Sequence, residues 1–166
     1  MKIIKLFCLT VSVVFCVCCT NQTMYHSYQH IHQHDWDRND TLFFTLSITD
    51  TLKHYSLSII VRNNNSYPYQ ELPLSVTYNL PDSTMWETDS LIFSITDEKG
   101  KWLGSGWGGL FQSSLILKET AIPHPGNYQF KIVPLINGKL SGICDVGVQA
   151  KGITISSPGR HLSGGK

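Results

Sequence analysis

Four histidines crowd into nine residues, at positions 26, 30, 32 and 34 of the run YHSYQHIHQH. Imidazole nitrogens are common transition-metal ligands, and His30, His32 and His34 alternate, so an extended backbone would project their rings to one side. The run offers no carboxylate before Asp35 and no evident group to orient the rings. It is read as a solvated tract, with no metal site expected.

The second dense cluster is VVFCVCCTNQT, residues 13–23, with three cysteines in four positions. Zinc sites need spaced ligand pairs, which this run lacks. Upstream, Lys2 and Lys5 precede an apolar stretch from Leu6 to Cys18, too short to span a membrane as a mature helix and laid out as a secretory leader. A lipoprotein leader is cut after a small residue and before a cysteine that takes the lipid. Cys18 before Cys19 fits that rule better than Phe15 before Cys16 or Val17 before Cys18, although alanine, glycine or serine ordinarily stands at the Cys18 position. Residues 1–18 are therefore read as the signal peptide and Cys19 as the lipidated residue. No cofactor beyond that covalent lipid is expected.

No catalytic set emerges, and the chain is read as no enzyme. Serine, histidine and aspartate occur without a nucleophile elbow, and Asp97 and Glu98 sit beside Lys99 and Lys101 in what reads as a solvated turn. Asp82, Glu87 and Asp89 have similar surroundings. Cys144 alternates with polar neighbours in GICDVGVQA and reads as a buried thiol in a strand, since no activating cation adjoins it.

Two segments carry the composition of a recognition surface. In DEKGKWLGSGWGGL, residues 97–110, the glycines resemble phosphate-loop punctuation, yet no Lys-Ser or Lys-Thr pair follows and no helix pattern opens. Glycine beside tryptophan in a β-protein marks a bulge or a strand crowded by a large ring. Trp102 and Trp107 are read either as core residues or as a sugar-stacking or protein-binding surface. In VRNNNSYPYQEL, residues 61–72, Arg62, Asn63, Tyr67, Tyr69 and Gln70 combine rigid aromatics with amides, as binding surfaces do, although turn formation alone would explain the asparagines.

The elements that must position these residues read as strands. TLFFTLSIT sends Leu42, Phe44, Leu46 and Ile48 to one face, HYSLSIIV sends Tyr55, Leu57, Ile59 and Val61, LPLSVTYNL sends Leu72, Leu74, Val76, Tyr78 and Leu80, and SLIFSIT sends Leu91, Phe93 and Ile95. Further strands are expected at SSLILK, NYQFKIV and GICDVGVQA, with turns at RNNNSYP, NLPDS, DEKGK, IPHPGN and INGK. The expectation is an all-β protein: a single antiparallel β-sandwich, Ig-like or jelly-roll-like, of about seven to nine strands. Removing 18 residues from 166 leaves 148, enough for one domain. Lys2 and Lys5 leave with them, so 11 basic side chains face 12 acidic ones and the mature net charge is −1, no footprint for nucleic acid. The expected organisation is a lipidated Cys19 with a tether or N-terminal segment over 19–40, a sandwich over 41–155 and a flexible tail over 156–166.

Taken in order, YHSYQ, WDRNDT, VRNNNSYPYQEL, DEKGKWLGSGWG and GNYQFKIVPLINGKLSGICDVGVQ resemble the motif series of the gliding-motility lipoprotein GldH family. The Arg-Asn-Asn, Tyr-Pro-Tyr and Gly-Lys-Trp-Leu-Gly runs are its most specific parts, while the histidines at 30–34 depart from it. The resemblance implies a non-catalytic, lipid-anchored envelope protein that supports gliding motility and type IX secretion through contacts with other envelope proteins; the lack of an acidic run directly after Cys19 points to the periplasmic face of the outer membrane, with acyl chains such as palmitate as the anchor. Expected contact residues are Arg62, Asn63, Tyr67, Tyr69, Trp102 and Trp107; no nucleic acid or small-molecule ligand is expected. The rival reading is a carbohydrate-binding sandwich lipoprotein of a glycan-uptake system, with Trp102 and Trp107 as the stacking platform.

Overall fold

The computed structural model describes residues 24–80 and 82–153. The expected leader 1–18, the expected lipidation site Cys19 and the expected tail 156–166 lie outside the described residues. Among the described residues eleven strands form: β1 (Met24–His30), β2 (Asp35–Asp37), β3 (Leu42–Ile48), β4 (His54–Asn64), β5 (Glu71–Tyr78), β6 (Glu87–Ser94), β7 (Ser105–Trp107), β8 (Leu110–Ala121), β9 (Gly126–Pro134), β10 (Lys139–Ser141) and β11 (Ile143–Ile153). The period-two faces read from the sequence are the buried faces. Phe44, Leu46 and Ile48 of β3, Tyr55, Leu57, Ile59 and Val61 of β4, and Leu72, Leu74, Val76 and Tyr78 of β5 all enter one core, joined by Tyr128, Phe130 and Ile132 of β9 and Val146, Val148 and Ala150 of β11.

Two antiparallel sheets bring these faces together, one in the order β1-β11-β4-β8-β7 and one in the order β3-β9-β5-β6. The order has a simple origin. Pairing of β1 with β11, β3 with β9, β4 with β8 and β5 with β6 is the pairing of one long hairpin whose two arms are rolled up on themselves. Contacts of β11 with β4 and of β5 with β9 then complete each sheet. This is the jelly-roll arrangement, which settles the choice left open between Ig-like and jelly-roll-like.

Strands exceed the expected seven to nine because β1, β2, β7 and β10 lie in segments without strong apolar alternation. Most consequential is β1. The sheet begins at Met24 rather than near residue 41, so most of the segment assigned to a tether is part of the domain. Tyr25 packs against the core and its hydroxyl meets Thr49 Oγ1 at 2.9 Å, while the Gln29 side-chain amide donates to the Phe43 carbonyl; the contacts tie β1 to β3 and to the residue just after it, across the sandwich. The backbone then turns through a short 3-10 segment, His32–His34, into β2, which pairs with β10 so that Trp36 faces Leu140, both buried.

The two ends of the sandwich are built differently. One end gathers Met24, Ile153, the loop 49–53, residues 82–86 and the turn 122–125, as the registers Met24 with Lys151, Lys151 with Ser56, Ile48 with Gly126 and Tyr78 with Glu87 require. The other end, about 35 Å away along the eleven residues of β4, carries the β2–β10 pair, the loop 65–70, the turn 97–101 and the β7–β8 hairpin.

Candidate functional site

At that second end the chain 95–112 builds a shelf. Asp97 organises its turn by accepting backbone N–H bonds from Lys99 and Lys101 on Oδ1, each at 2.9 Å, which is what Asp does well at the start of a tight turn. The turn closes a bridge between Thr96 and Trp102, and Leu103 N–H donates to Ile95 O at 3.0 Å. Trp102 is half-buried and stacks on Phe111, with ring centroids 4.9 Å apart at 15°. Beyond it the chain reverses through Gly108 and Gly109, at φ +65° and +84°. Two successive positive φ values are the backbone of the tightest hairpin loops and explain why both positions are glycine. Trp107 stands at the edge of this hairpin with 94% of its surface exposed, flanked by Leu110 at 41%.

Next to the shelf runs a groove of about 420 Å³ between β6 and β8, lined by Ile92 and Ser94 on one side, Gln112, Ser113 and Leu115 on the other, and Leu103 at its mouth. Ile92 and Leu103 are more than half exposed. Among the described residues β6 is the last strand of its sheet, and β7 pairs β8 only over Leu110–Gln112, so two strand edges face each other across the groove. At its far end Lys118 Nζ lies 2.6 Å from Glu87 Oε2. Hydrogen bonding to Lys118, then to Tyr78, holds the Glu87 carboxyl below its ordinary value, while burial first, and then the Asp89 and Glu87 carboxylates, push the Tyr78 hydroxyl up.

The expected contact residues separate into three groups. Tyr69, about half exposed, and Trp102 lie on neighbouring segments, because Ile95 and Thr96 N–H both donate to Gln70 O and Thr96 bridges Trp102; Trp107 lies on the adjoining hairpin. Asn63 and Tyr67 are corrected: both are buried and present no surface. Tyr67 enters the core with its hydroxyl donating to Glu71 O at 2.8 Å and its ring edge-on to Tyr69; burial, reinforced by Tyr69, raises its hydroxyl well above the ordinary tyrosine value. Asn63 donates to Asn64 O at 3.3 Å and its Oδ1 has no protein partner. Arg62 is half-buried on the outer sheet face, where Nε donates to Gln112 Oε1 at 2.9 Å and the guanidinium lies over the Tyr28 ring, 5.1 Å from its centroid.

The extended alternation expected of the histidine run is interrupted because β1 stops at His30, yet the His30 and His34 rings still meet edge-on with centroids 5.5 Å apart. His30 Nδ1 lies 3.1 Å from Asp145 Oδ1, His34 Nδ1 lies 3.3 Å from Asn64 Nδ2, and Gln33 and His34 have positive φ. Among the described residues no three His, Cys, Asp or Glu side chains converge as a metal centre would need. Cys144 is a free, buried thiol whose pKa is raised by burial and then by Asp145, in keeping with its reading as a strand residue. What sequence reasoning missed is the hairpin. Trp-Gly-Gly-Leu between two short runs is a two-residue-loop signal, and it would have placed Trp107 at a protruding edge.

The model of the GldH lipoprotein family matches residues 23–150. A gliding motility lipoprotein GldH homolog of Christiangramia forsetii is 31% identical over 152 residues, covering 86% of this chain and 92% of that protein. The gliding motility lipoprotein GldH of Flavobacterium johnsoniae is 27% identical over 147 residues, covering 84% and 91%. A solved structure of tomato aspermy virus aligns over 95% of this chain and 97% of its own at 11% identity, with a TM-score of 0.39, too distant a likeness to carry an argument.

Proposed function

The chain belongs to the GldH lipoprotein family, and on that premise we propose that it is a non-catalytic, lipid-anchored part of the gliding-motility apparatus. Acyl chains on Cys19 hold it to the outer membrane on the periplasmic side, and it serves motility and the associated type IX secretion by docking another envelope protein. Two or more acyl chains suffice for stable anchoring where one is marginal. The observation that carries the docking role is Trp107, a large ring almost wholly in solvent on a glycine hairpin, beside a groove edged by Ile92 and Leu103. Exposed aromatic and aliphatic side chains gathered next to a cleft are the usual anchors of protein interfaces.

A stacking platform for glycans is less well supported, since the Trp102 ring is already engaged by Phe111. The test is site-specific photo-crosslinking from position 107 in cells. Adducts with an envelope protein, lost when the reactive group is moved to position 127 on the outer sheet face, support the docking role. Adducts with no protein, together with glycan binding abolished by Trp107→Ala, reject it.

A further inference from the structure

We infer that the end of the sandwich holding Met24 rests on the bilayer, with Leu52 and Met85 inserted in its interface and Trp86 at the rim. The inference rests on the acylation of Cys19 proposed above. It starts from chain length. Only four residues, 20–23, separate Cys19 from Met24, the first residue of β1, and the five Cα–Cα steps between them reach at most about 18 Å when fully extended. The lipidated residue is therefore confined to the neighbourhood of one end of the domain, and a long tether that would let the body stand away from the lipid is ruled out by the early start of the sheet.

The loops of that end carry exposed apolar side chains of their own, distant from Trp107. Leu52, in the loop between β3 and β4, is 95% exposed, the most exposed large apolar side chain among the described residues; Met85, just before β6, is 66% exposed, and Trp86 next to it is 44% exposed. Lys131 Nζ lies over the Trp86 ring, 4.2 Å from its centroid, and an indole with a long-stemmed cation beside it suits the boundary where hydrocarbon meets headgroups. The loops are also stiff enough to hold these side chains outward. Asp50 accepts the Leu52 N–H at 3.0 Å and pairs with Lys53 at 3.3 Å, and Asp82 caps its own turn by accepting from Thr84 N–H at 3.0 Å and Thr84 Oγ1 at 2.9 Å. With Asp50 and Asp82 set against Lys53 and Lys131, the end has no large excess of either sign. Apolar insertion, rather than attraction to anionic lipid, supplies the contact.

The experiment uses the full chain, expressed with its leader, purified in detergent and reconstituted into phosphatidylethanolamine and phosphatidylglycerol vesicles containing brominated lipid. Leu52→Cys and Trp107→Cys proteins are each labelled with a polarity-sensitive fluorophore; the buried Cys144 does not compete for label. Mass spectrometry of the N-terminal peptide from the same samples reports acylation. The expected result is an acylated peptide, with the label at 52 blue-shifted and quenched at least twofold more than the label at 107. An acylated peptide with equal quenching at the two sites, or stronger quenching at 107, overturns the inference and leaves the anchor standing. A peptide without acyl chains overturns both.

Discussion

Lys118 on β8 sets its ammonium 2.6 Å from the Glu87 carboxylate on β6, bridging a seam where the two sheets meet through side chains rather than backbone hydrogen bonds. Because Glu87 is held below its ordinary value, the clasp contributes stability above the ordinary carboxylate range and loses it as pH falls through the lowered folded value. Lys118→Met is expected to raise the Glu87 pKa toward normal, read from its side-chain carbon shifts during an NMR titration. An unchanged titration would show that the contact does not persist in solution. The pair is exposed, so a large change in melting temperature is not expected.

Trp107→Ala should leave folding intact and impair docking. Exposed side chains change stability by no more than about 0.5 kcal/mol, whereas an interface anchor costs about 2 kcal/mol or more when truncated. Thermal unfolding and pull-down of the native partner are the paired measurements. A destabilised Trp107→Ala protein would mean that the hairpin supports the fold.

Gly142→Ala should be among the most damaging small substitutions. Gly142 has φ +86°, and a Cβ there would collide with the backbone of Tyr67, while its own N–H and C=O are bonded to His34 O and Asn64 N–H. A cost of at least ~2 kcal/mol is expected from conformation and clash together. Gly138→Ala is the control. It also has positive φ, at +83°, but opens onto free space, so it should cost only about 1 kcal/mol. Denaturant unfolding of both variants checks the difference.

Tyr67→Phe should cost about 1 kcal/mol by removing the bond to Glu71 O, and Tyr67→Ala about 3–5 kcal/mol by emptying a core position. Neither should alter partner binding at temperatures where the fold persists. A Tyr67→Phe protein of unchanged stability but weakened binding would restore the tyrosine to the contact surface.

Cys144 should resist thiol reagents in the folded protein and react on unfolding. Burial raises its pKa, so less thiolate forms at any pH than in a free cysteine. Timed labelling of a protein in which Cys8, Cys16, Cys18 and Cys19 are all replaced by alanine, with and without denaturant, measures this. Rapid labelling in buffer would reveal local opening of β11.

The long strands were legible because each buries one face and shows water the other. Leu72, Leu74, Val76 and Tyr78 alternate with Pro73, Ser75 and Thr77 in sequence and do so in space. β1 was illegible for the converse reason. It lies at a sheet edge, and its half-buried residues Tyr25, Ser27 and Gln29 are scarcely more apolar than the exposed His26, Tyr28 and His30, so no periodic signal survives. Asn63 and Tyr67 misled through composition. Tyrosines and amides are chosen for surfaces because they offer both area and hydrogen bonds, and the same properties let Tyr67 plug the core from a loop while its hydroxyl finds a carbonyl.

The placement of β1 decides how the body withstands a pull. Hydrogen bonds of an antiparallel ladder lie crosswise to the strands, and β1 is matched to β11 through seven consecutive residue pairs, with Met24 at the extremity nearer in sequence to Cys19. Tension between the bilayer and a load gripped at the Trp107 extremity would run lengthwise along β1, so all seven pairs resist together in shear instead of peeling apart in succession. With the anchoring and docking proposed above, the first strand would act as a mechanical fastener.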